Sequence, residues 1–314
     1  MEPDLRDFPS RLLCCLFGVS ALLGGLFAPP AMADDPHVLV LGRISDDPKA
    51  NYEQLKPLLD YVVPRMADVG IREGRILMAR DEQQMTSYMR RGRVDWVTET
   101  AATGMMLEQR AGAMPLVLTE RNGVDHYRTV FFARRDSGID SLADLRGRSV
   151  AFQNTSSTSA YFVPAIQLLQ QGMRLEILLS PMDRPGDDSV GYVFARSELN
   201  IATWVHKRLV DAGSMSDLDW NNPQRVPASY RKDLRIIHRS PEYPRALEMV
   251  RGDMDPKVQA RLREVLIAAA SDPDAREALL QFFQTTRFLP IDPTTDATLR
   301  YLRNGVARVR TEVE

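Results

Sequence analysis

The sequence contains 314 residues, of which 44% are hydrophobic and 26% are charged. These fractions are typical of globular proteins and argue against a disordered chain, a collagen-like repeat or a multi-span membrane protein, while the length corresponds to one or two domains. Lys and Arg together number 40 and Asp and Glu 42, and the basic residues form no block, so the charge pattern also argues against nucleic-acid binding.

The N-terminal segment has the pattern of a secretory signal peptide. Arg6 and Arg11 precede an apolar run over residues 12–28, and residues 31–33 (Ala-Met-Ala) then provide the small-x-small pattern that signal peptidase recognises. We therefore predict a cleaved signal over residues 1–33 and a periplasmic mature protein. The alternative is a retained membrane anchor, because the apolar run is close to the lower limit of about 17 residues for a membrane-spanning helix.

Cysteine and histidine usage argues against catalysis and metal binding. The chain has two cysteines, Cys14 and Cys15, and cleavage after Ala33 would remove both, together with any disulfide or cysteine metal site. The four histidines have no metal-ligand spacing, and the sequence motifs of hydrolases, P-loop enzymes and dinucleotide-binding enzymes are absent. We therefore expect no catalytic residue, no metal site and no cofactor, and we predict that the protein is not an enzyme.

Strand and helix patterns alternate in the first third of the chain. Short apolar runs predict strands, and apolar residues at helical spacing predict helices. The predicted strands cover residues 37–44, 75–79 and 94–97, and the predicted helices cover residues 51–66, 81–91 and 100–110. Apolar segments at 114–118 and 128–133 follow. Strands alternating with helices predict a parallel sheet.

A second unit is predicted to begin at Arg134, after which the pattern changes to a polar, glycine-containing stretch. The predicted elements that follow are a short helix near 141, a strand ending at 152, a helix over 157–171, a loop over 180–186, a helix to 196, a strand over 199–202, a helix from about 204 and a strand over 234–237. After Pro241 only helices are predicted, over 257–270, 274–283 and 295–309. We infer an α/β unit inserted between an N-terminal α/β unit and C-terminal helices.

Six consecutive small polar residues, 154–159, join a predicted strand to a predicted helix start, and we call this segment the hydroxyl loop. Backbone N–H groups at a helix start lack intrahelical partners, and together with the helix dipole they attract anions. The hydroxyls of Ser157, Thr158 and Ser159 would add further donors. The alternative is that one of these residues is an ordinary N-cap, which needs only one or two polar residues.

The hydroxyl loop lies within a longer pattern. Residues 157–160 read Ser-Thr-Ser-Ala, residues 141–152 predict a short helix and a strand leading into the loop, and residues 92–97 and 239–244 complete the pattern. These segments, in this order, resemble the phosphate, phosphite and phosphonate substrate-binding proteins of ABC transporters, the PhnD-like family, whose signature reads Ser-Thr-Ser-Gly. The resemblance covers residues 37–290.

This resemblance implies an α/β fold of two lobes, each a mixed sheet flanked by helices, with a ligand cleft between them: a periplasmic binding protein of the second topological type. Lobe 1 is expected over residues 36–133 plus 241–314 and lobe 2 over residues 134–240, with hinge closure on the ligand. The implied ligand is a small phosphorus oxyanion (phosphonate, phosphate or phosphite), and the implied partner is an ABC transporter permease. The mature chain is expected to be a monomer.

An alternative function is a periplasmic sensing domain that feeds a signalling receptor and binds a different small anion or amino-anion. Two departures from the family pattern favour an unusual ligand. Residues 98–100 read Thr-Glu-Thr where members of the family often place an aromatic residue, and residues 184–189 contain no counterpart of a family histidine.

Glu99 is the most unusual of the candidate site residues. A carboxylate that faces a bound oxyanion repels it unless it accepts a hydrogen bond from a protonated ligand oxygen or pairs with a ligand amine. We therefore hypothesise an aminophosphonate-like ligand or a protonated oxyanion. The alternative is that Glu99 stabilises the dipole at the start of the third helix and contacts no ligand.

The resemblance assigns anion binding to Ser157, Thr158 and Ser159, and it also places Tyr52, Tyr127 and Arg128 at cleft positions. Arg43 is a candidate for a different reason. It lies at the carboxyl end of the first predicted strand, the position where open α/β sheets bind ligands.

Overall fold

The computed structural model describes residues 35–314, and the predicted signal peptide lies outside them. The described residues form two six-stranded sheets and one two-stranded ladder. The strands are β1 (Val38–Ile44), β2 (Glu73–Ala79), β3 (Trp96–Glu99), β4 (Met114–Arg121), β5 (His126–Tyr127), β6 (Thr129–Arg134), β7 (Ser149–Phe152), β8 (Arg174–Ile177), β9 (Ser189–Phe194), β10 (Ala212–Ser216), β11 (Leu234–Arg239), β12 (Tyr243–Pro244), β13 (Leu247–Val250) and β14 (Thr285–Leu289).

Helices cover both sheets. They are α1 (Pro48–Val62), α2 (Glu82–Arg90), α3 (Ala101–Ala111), α4 (Val163–Gln170), α5 (Glu198–His206), α6 (Asp217–Asn221), α7 (Ala228–Arg231), α8 (Pro256–Ala268), α9 (Arg276–Gln281) and α10 (Pro293–Glu312). A π-helical turn, Thr158–Phe162, leads directly into α4. Several helices begin at an Asp or Ser whose side chain accepts a hydrogen bond from a backbone N–H of the first turn, as Asp47, Asp81 and Ser197 do, and such caps contribute about 1 kcal/mol each.

The first sheet has the strand order β14-β4-β13-β3-β1-β2. β1 pairs in parallel with β2 and β3, whereas β13 is antiparallel to both β3 and β4, and β14 is antiparallel to β4. The buried Leu39 and Leu41 of β1 belong to a core that also contains Leu55 of α1 and Leu262 of α8. The prediction of a parallel sheet is therefore wrong for the half of this sheet formed by β4, β13 and β14.

The second sheet has the strand order β11-β6-β10-β7-β9-β8. β7 is parallel to β9 and β10, and β6 is antiparallel to β10 and β11, so this sheet is also mixed. The chain passes between the two sheets twice, and the two passages meet in the antiparallel ladder of β5 and β12, where Tyr127 lies opposite Tyr243. Strand Thr129–Arg134 belongs to the second sheet, although the predicted boundary placed residues up to 133 in lobe 1.

Several elements differ from the sequence prediction, which also lacks strands β8 and β10. Residues Ser189–Phe194 form strand β9 instead of a helix, because a short continuous apolar run does not distinguish a buried strand from a buried helix. Residues 199–202 lie in helix α5 instead of a strand. Ser197 caps the start of this helix, and a serine at that position is a local sequence signal for a helix start. The C-terminal part of the chain contributes strands β13 and β14 as well as helices.

The described residues contain no helix that is long and apolar enough to cross a membrane. The last helix, α10, packs against α3, which follows a strand of the first sheet, and against α4, which follows a strand of the second. Gly305 permits the contact with α4, because a Cβ at this position would lie 2.4 Å from Cδ1 of Ile166.

Candidate ligand-binding cleft

A cavity of about 340 Å³ lies where residues from both sheets meet. From the first sheet and its helices it is lined by Arg43, Ile44, Glu99, Thr100, Thr103 and Arg121, and from the second by Ser216, Leu218, Asp219 and most of residues 153–159. Tyr127 and Arg245, next to the two passages between the sheets, complete the wall. The cavity therefore occupies the position predicted for the ligand cleft.

The hydroxyl loop follows β7 and forms one wall of the cavity. The Ser157 side chain accepts a hydrogen bond from the backbone N–H of Ala160 at 3.1 Å, and Asn154 Oδ1 accepts hydrogen bonds from the N–H and the hydroxyl of Ser156. The carbonyl of Ser159 accepts a hydrogen bond from Thr129 Oγ1 at 2.9 Å. These bonds fix the loop, and the side chains of Ser157 and Ser159 line the cavity.

Thr158 connects the hydroxyl loop to the opposite wall. Its Oγ1 accepts a hydrogen bond from the backbone N–H of Ala102 at 3.0 Å and donates one to Oγ1 of Thr100, also at 3.0 Å. Thr100 is the N-cap residue of α3 but makes no capping bond of its own. Thr158 thus satisfies an N–H group at the start of α3 from across the cavity, and its side chain is 2% exposed.

Two arginines of the first sheet, Arg43 on β1 and Arg121 on β4, line the opposite wall. Arg43 donates from Nη1 to the carbonyl of Thr98 at 3.0 Å, and Arg121 donates from Nη2 to Oγ1 of the same residue at 3.2 Å. Both guanidiniums lie against the ring of Phe283, with Cζ 4.4 Å from the ring centroid for Arg43 and 4.6 Å for Arg121. Phe283 has a φ of +53°, an unfavourable backbone region for a large side chain, so its position is held by the surrounding structure.

The pKa of Arg121 reflects its burial and the nearby charge of Arg43. Burial and, after it, the neighbouring charge of Arg43 lower the pKa of Arg121 to about 10. The side chain is therefore still charged at neutral pH, but its charge is poorly solvated. Because the hydrogen bonds of Arg43 and Arg121 go to neutral oxygen atoms, an anion in the cavity would stabilise both charges.

Two further charged groups lie at the cavity. Arg245 donates from Nη1 to the carbonyl of Arg121 at 2.7 Å, which places its guanidinium beside that residue. Asp219, at the start of α6, accepts a hydrogen bond from the hydroxyl of Ser216. The cavity wall therefore contains three arginines and two carboxylates, Asp219 and Glu99.

Glu99 ends β3 and is 6% exposed. Its Oε1 accepts a hydrogen bond from the backbone N–H of Ile44 at 3.1 Å, and its Oε2 accepts a longer one of 3.4 Å from that of Thr100. Burial raises the pKa of Glu99, and the charge of Arg43 opposes this effect. The carboxylate thus lies both at the start of α3 and in the cavity wall, so the structure combines the two positions that the sequence analysis treated as alternatives.

Six of the eight predicted site residues line the cavity: Arg43, Glu99, Tyr127, Ser157, Thr158 and Ser159. The other two lie elsewhere. Tyr52 is an exposed residue of α1, and Arg128 forms a salt bridge with Glu242 outside the lining of the cavity.

Sequence reasoning missed Arg121, Arg245 and Asp219. Arg121 precedes an Asn-Gly pair, a pattern that predicts a turn and gives no indication of a binding site. Arg245 directly follows the segment 239–244 that carried part of the family resemblance, so extending that segment by one residue would have found it.

A family model described as the periplasmic phosphonate substrate-binding protein of ABC transporters matches residues 42–295. The chain belongs to this family. The resemblance stated from the sequence is thereby confirmed. A curated relative in this family, the phosphate-import protein PhnD of Mycolicibacterium smegmatis, is 24% identical over 199 residues, which cover 57% of this chain and 60% of the relative. The chain thus matches less than two thirds of that relative's length.

Solved structures of other proteins share the fold of this chain. XAC2383 from Xanthomonas citri, bound to chloride, is 56% identical to this chain. The match covers 88% of this chain and 100% of XAC2383, and the two structures superpose with a TM-score of 0.84. The structure of XAC2383 bound to ATP superposes with a TM-score of 0.83. PhnD1 from Prochlorococcus marinus, in complex with methylphosphonate, is 16% identical and superposes with a TM-score of 0.61. This match covers 89% of this chain and 100% of PhnD1. The predicted fold, two mixed sheets flanked by helices in the manner of periplasmic binding proteins, is confirmed.

Proposed function

We propose that this chain is the extracytoplasmic solute-binding protein of an ABC transporter and that it captures a small phosphorus oxyanion, a phosphonate, phosphate or phosphite, in the cleft between its two sheets. The observation that carries the proposal is the arrangement of donors around the cavity. The hydroxyl loop faces the guanidiniums of Arg43 and Arg121, so hydroxyl and charged N–H donors converge from two sides.

The size and charge of the cavity support a phosphorus oxyanion with an organic substituent. Pockets for small organic ligands hold about 300 to 1,000 Å³, and the cavity of about 340 Å³ lies at the lower end of this range. The relative that is 56% identical binds chloride in one structure and ATP in another, and both are anions. An anion that carries a phosphorus group and a modest substituent fits these observations.

Contacts across the cavity support ligand capture by hinge closure. The hydrogen bonds of Thr158 join the hydroxyl loop to the start of α3, and Thr103 Oγ1 adds a longer contact of 3.4 Å to the carbonyl of Ser156. Such bonds can form only when the two sheets are close together. We propose lobes near the predicted division, at 36–133 plus 241–314 and 134–240, with strand Thr129–Arg134 moved to the second lobe.

A binding experiment tests the proposed function. The purified protein is titrated by isothermal calorimetry with inorganic phosphate, phosphite, methylphosphonate, 2-aminoethylphosphonate and ATP, and with sulfate for comparison. We expect one-to-one binding of at least one phosphorus compound. Replacing Arg121 by Ala should weaken that binding about tenfold or more, because a hydrogen bond to a charged group contributes about 1.5–3 kcal/mol.

Arg128 provides the matched control for Arg121. It is an arginine whose partner, Glu242, lies outside the cavity, so Arg128→Ala should leave the affinity within about twofold. Failure of all five phosphorus compounds to bind would contradict the proposed function, and so would equal effects of the two arginine substitutions.

A further inference from the structure

The first sheet contains a carboxylate that is remote from solvent. Glu248 lies on β13, an interior strand, opposite Thr98 of β3 and Val117 of β4, and it is 0% exposed. A buried carboxylate is costly unless hydrogen bonds or charges compensate it. Glu248 does not line the cavity, and the binding of an anion does not in itself require it.

All three side-chain partners of Glu248 donate hydrogen bonds to it. Oε1 accepts from Thr98 Oγ1 at 2.9 Å and from Thr119 Oγ1 at 2.6 Å, and Oε2 accepts from Trp96 Nε1 at 2.6 Å. An indole N–H can only donate. This set of donors is complementary to an ionised carboxylate. Burial raises the pKa of Glu248, and the hydrogen bond from Thr119 and the charge of Arg121 oppose this effect.

The hydroxyl of Thr98 links this buried carboxylate to the cavity. Its single hydrogen is directed to Glu248, so its oxygen is free to accept the hydrogen bond from Arg121 Nη2. The donor order is therefore fixed as Arg121 to Thr98 to Glu248. The carbonyl of Thr98 accepts the hydrogen bond from Arg43, so two of the three arginines of the cavity wall are anchored to one residue.

We propose that Glu248 is a positioning residue for anion binding: through the hydroxyl of Thr98 it holds the Arg121 side chain at the cavity. This inference rests on the proposed function, since it assigns Arg121 to the ligand. A purely structural Glu248 would stabilise the sheet and leave the affinity of the folded protein unchanged.

Two threonines allow these alternatives to be separated. Thr98→Val and Thr119→Val each remove one hydroxyl donor to the same oxygen of Glu248 and keep the side-chain shape, but only Thr98 contacts Arg121. Calorimetric titration of both variants with the tightest-binding of phosphate, methylphosphonate and ATP should show a loss of about fivefold to tenfold for Thr98→Val. The affinity of Thr119→Val should stay within about twofold of that of the unmodified protein.

A second comparison tests the link to Arg121. In an Arg121→Ala background, Thr98→Val should no longer change the affinity, because the interaction that it weakens is already absent. Glu248→Gln should lower the affinity about tenfold in the unmodified background; if this variant does not fold, the threonine pair still decides the question. Equal affinities of Thr98→Val and Thr119→Val would overturn the inference, whereas an unmodified protein that binds none of the probes would overturn the proposed function itself.

Discussion

At the scale of single residues, the cavity places acidic and basic side chains together, and Glu99 is expected to affect specificity more than affinity. Its carboxylate is buried and lies in a wall that also contains Arg43 and Arg121. A ligand amine would find a partner in Glu99, whereas a phosphorus group alone would be repelled by it.

We therefore predict that Glu99→Gln weakens the binding of 2-aminoethylphosphonate about tenfold and leaves or improves the binding of methylphosphonate. Parallel calorimetric titrations of the two ligands measure the difference. Glu242→Gln, which alters an exposed carboxylate outside the cavity, serves as the control and should change neither affinity. Equal effects of Glu99→Gln on both ligands would refute a role for Glu99 in recognising the amine.

The pKa of Arg121 predicts a pH dependence of binding. Because burial and Arg43 lower this pKa to about 10, the guanidinium loses its proton as the pH rises through about 10, and its attraction for an anion is lost with the proton. Tyr127 also lines the cavity, but burial raises its pKa to about 12, so it stays neutral in this range.

We expect the affinity for methylphosphonate to be nearly constant from about pH 8 to 9 and to fall between about pH 9 and 11. Titrations across this range measure the profile, and Arg121→Met should show weaker but flatter binding. A decline of the same steepness in Arg121→Met would assign the pH dependence to another group.

The same lowered pKa has a consequence for stability. A base whose pKa is lower in the folded than in the unfolded protein opposes folding while it is charged in both states. Arg121 therefore lowers the free energy of unfolding by its full amount below about pH 10. This destabilisation is relieved as the pH rises from about 10 towards the pKa of the arginine in the unfolded chain. The proposed anion, bound beside Arg121, would compensate this destabilisation at neutral pH.

At the scale of elements, the hydroxyl loop and helix α3 depend on each other. The N–H of Ala102 is buried, and its side-chain acceptor is Thr158, from the opposite side of the cavity. Thr158→Val should therefore lower the free energy of unfolding by about 1–3 kcal/mol, since it leaves a buried donor unpaired. Urea denaturation measures this change.

Thr155→Val is the matched control for Thr158→Val. It substitutes an exposed threonine in the same loop and should change the free energy of unfolding by less than about 0.5 kcal/mol. If Thr158→Val were as stable as the unmodified protein, the contact across the cavity would have no energetic importance.

Elements with a clear local signal could be predicted from the sequence. β1 begins with an aliphatic run, Val38 to Leu41, and Asp81, at the start of the predicted helix over 81–91, caps α2. β13 could not be predicted, because it is four residues long and carries Glu248, whose burial depends on donors from two other strands. β9 was misread because its two faces are both buried, which removes the alternation that identifies a strand.

The residues of the candidate site also differ in how well the sequence predicts them. Ser157, Thr158 and Ser159 are contiguous and follow a strand, so their place at the cavity could be predicted from local sequence. Arg121 could not, because it reaches the cavity only through the pairing of β4 with β13 and β14, which brings together residues far apart in the chain.

At the scale of the whole molecule, the two passages of the chain between the sheets place the cavity next to the ladder of β5 and β12. Tyr127 and Tyr243 pack against each other there, with ring centroids 4.8 Å apart, and Tyr243 shares a hydrogen bond of 2.7 Å with Thr129, which in turn contacts Ser159 of the hydroxyl loop. The ladder between the two sheets is thus connected, through Thr129, to the loop proposed to bind the ligand. The transport proposal and the sensing alternative both use this cleft. They differ in the ligand that it binds, a phosphorus oxyanion or a different small anion or amino-anion, and in the partner protein that the closed form meets.

The most direct test of the central claim is a crystal structure of the protein with the tightest-binding phosphorus compound of the calorimetric series. We predict that the phosphorus group lies in the cavity, with its oxygens within hydrogen-bonding distance of the hydroxyl loop and of the guanidinium of Arg121. A compound that binds one-to-one in solution but lies outside this cavity, or contacts neither of these groups, would contradict the account.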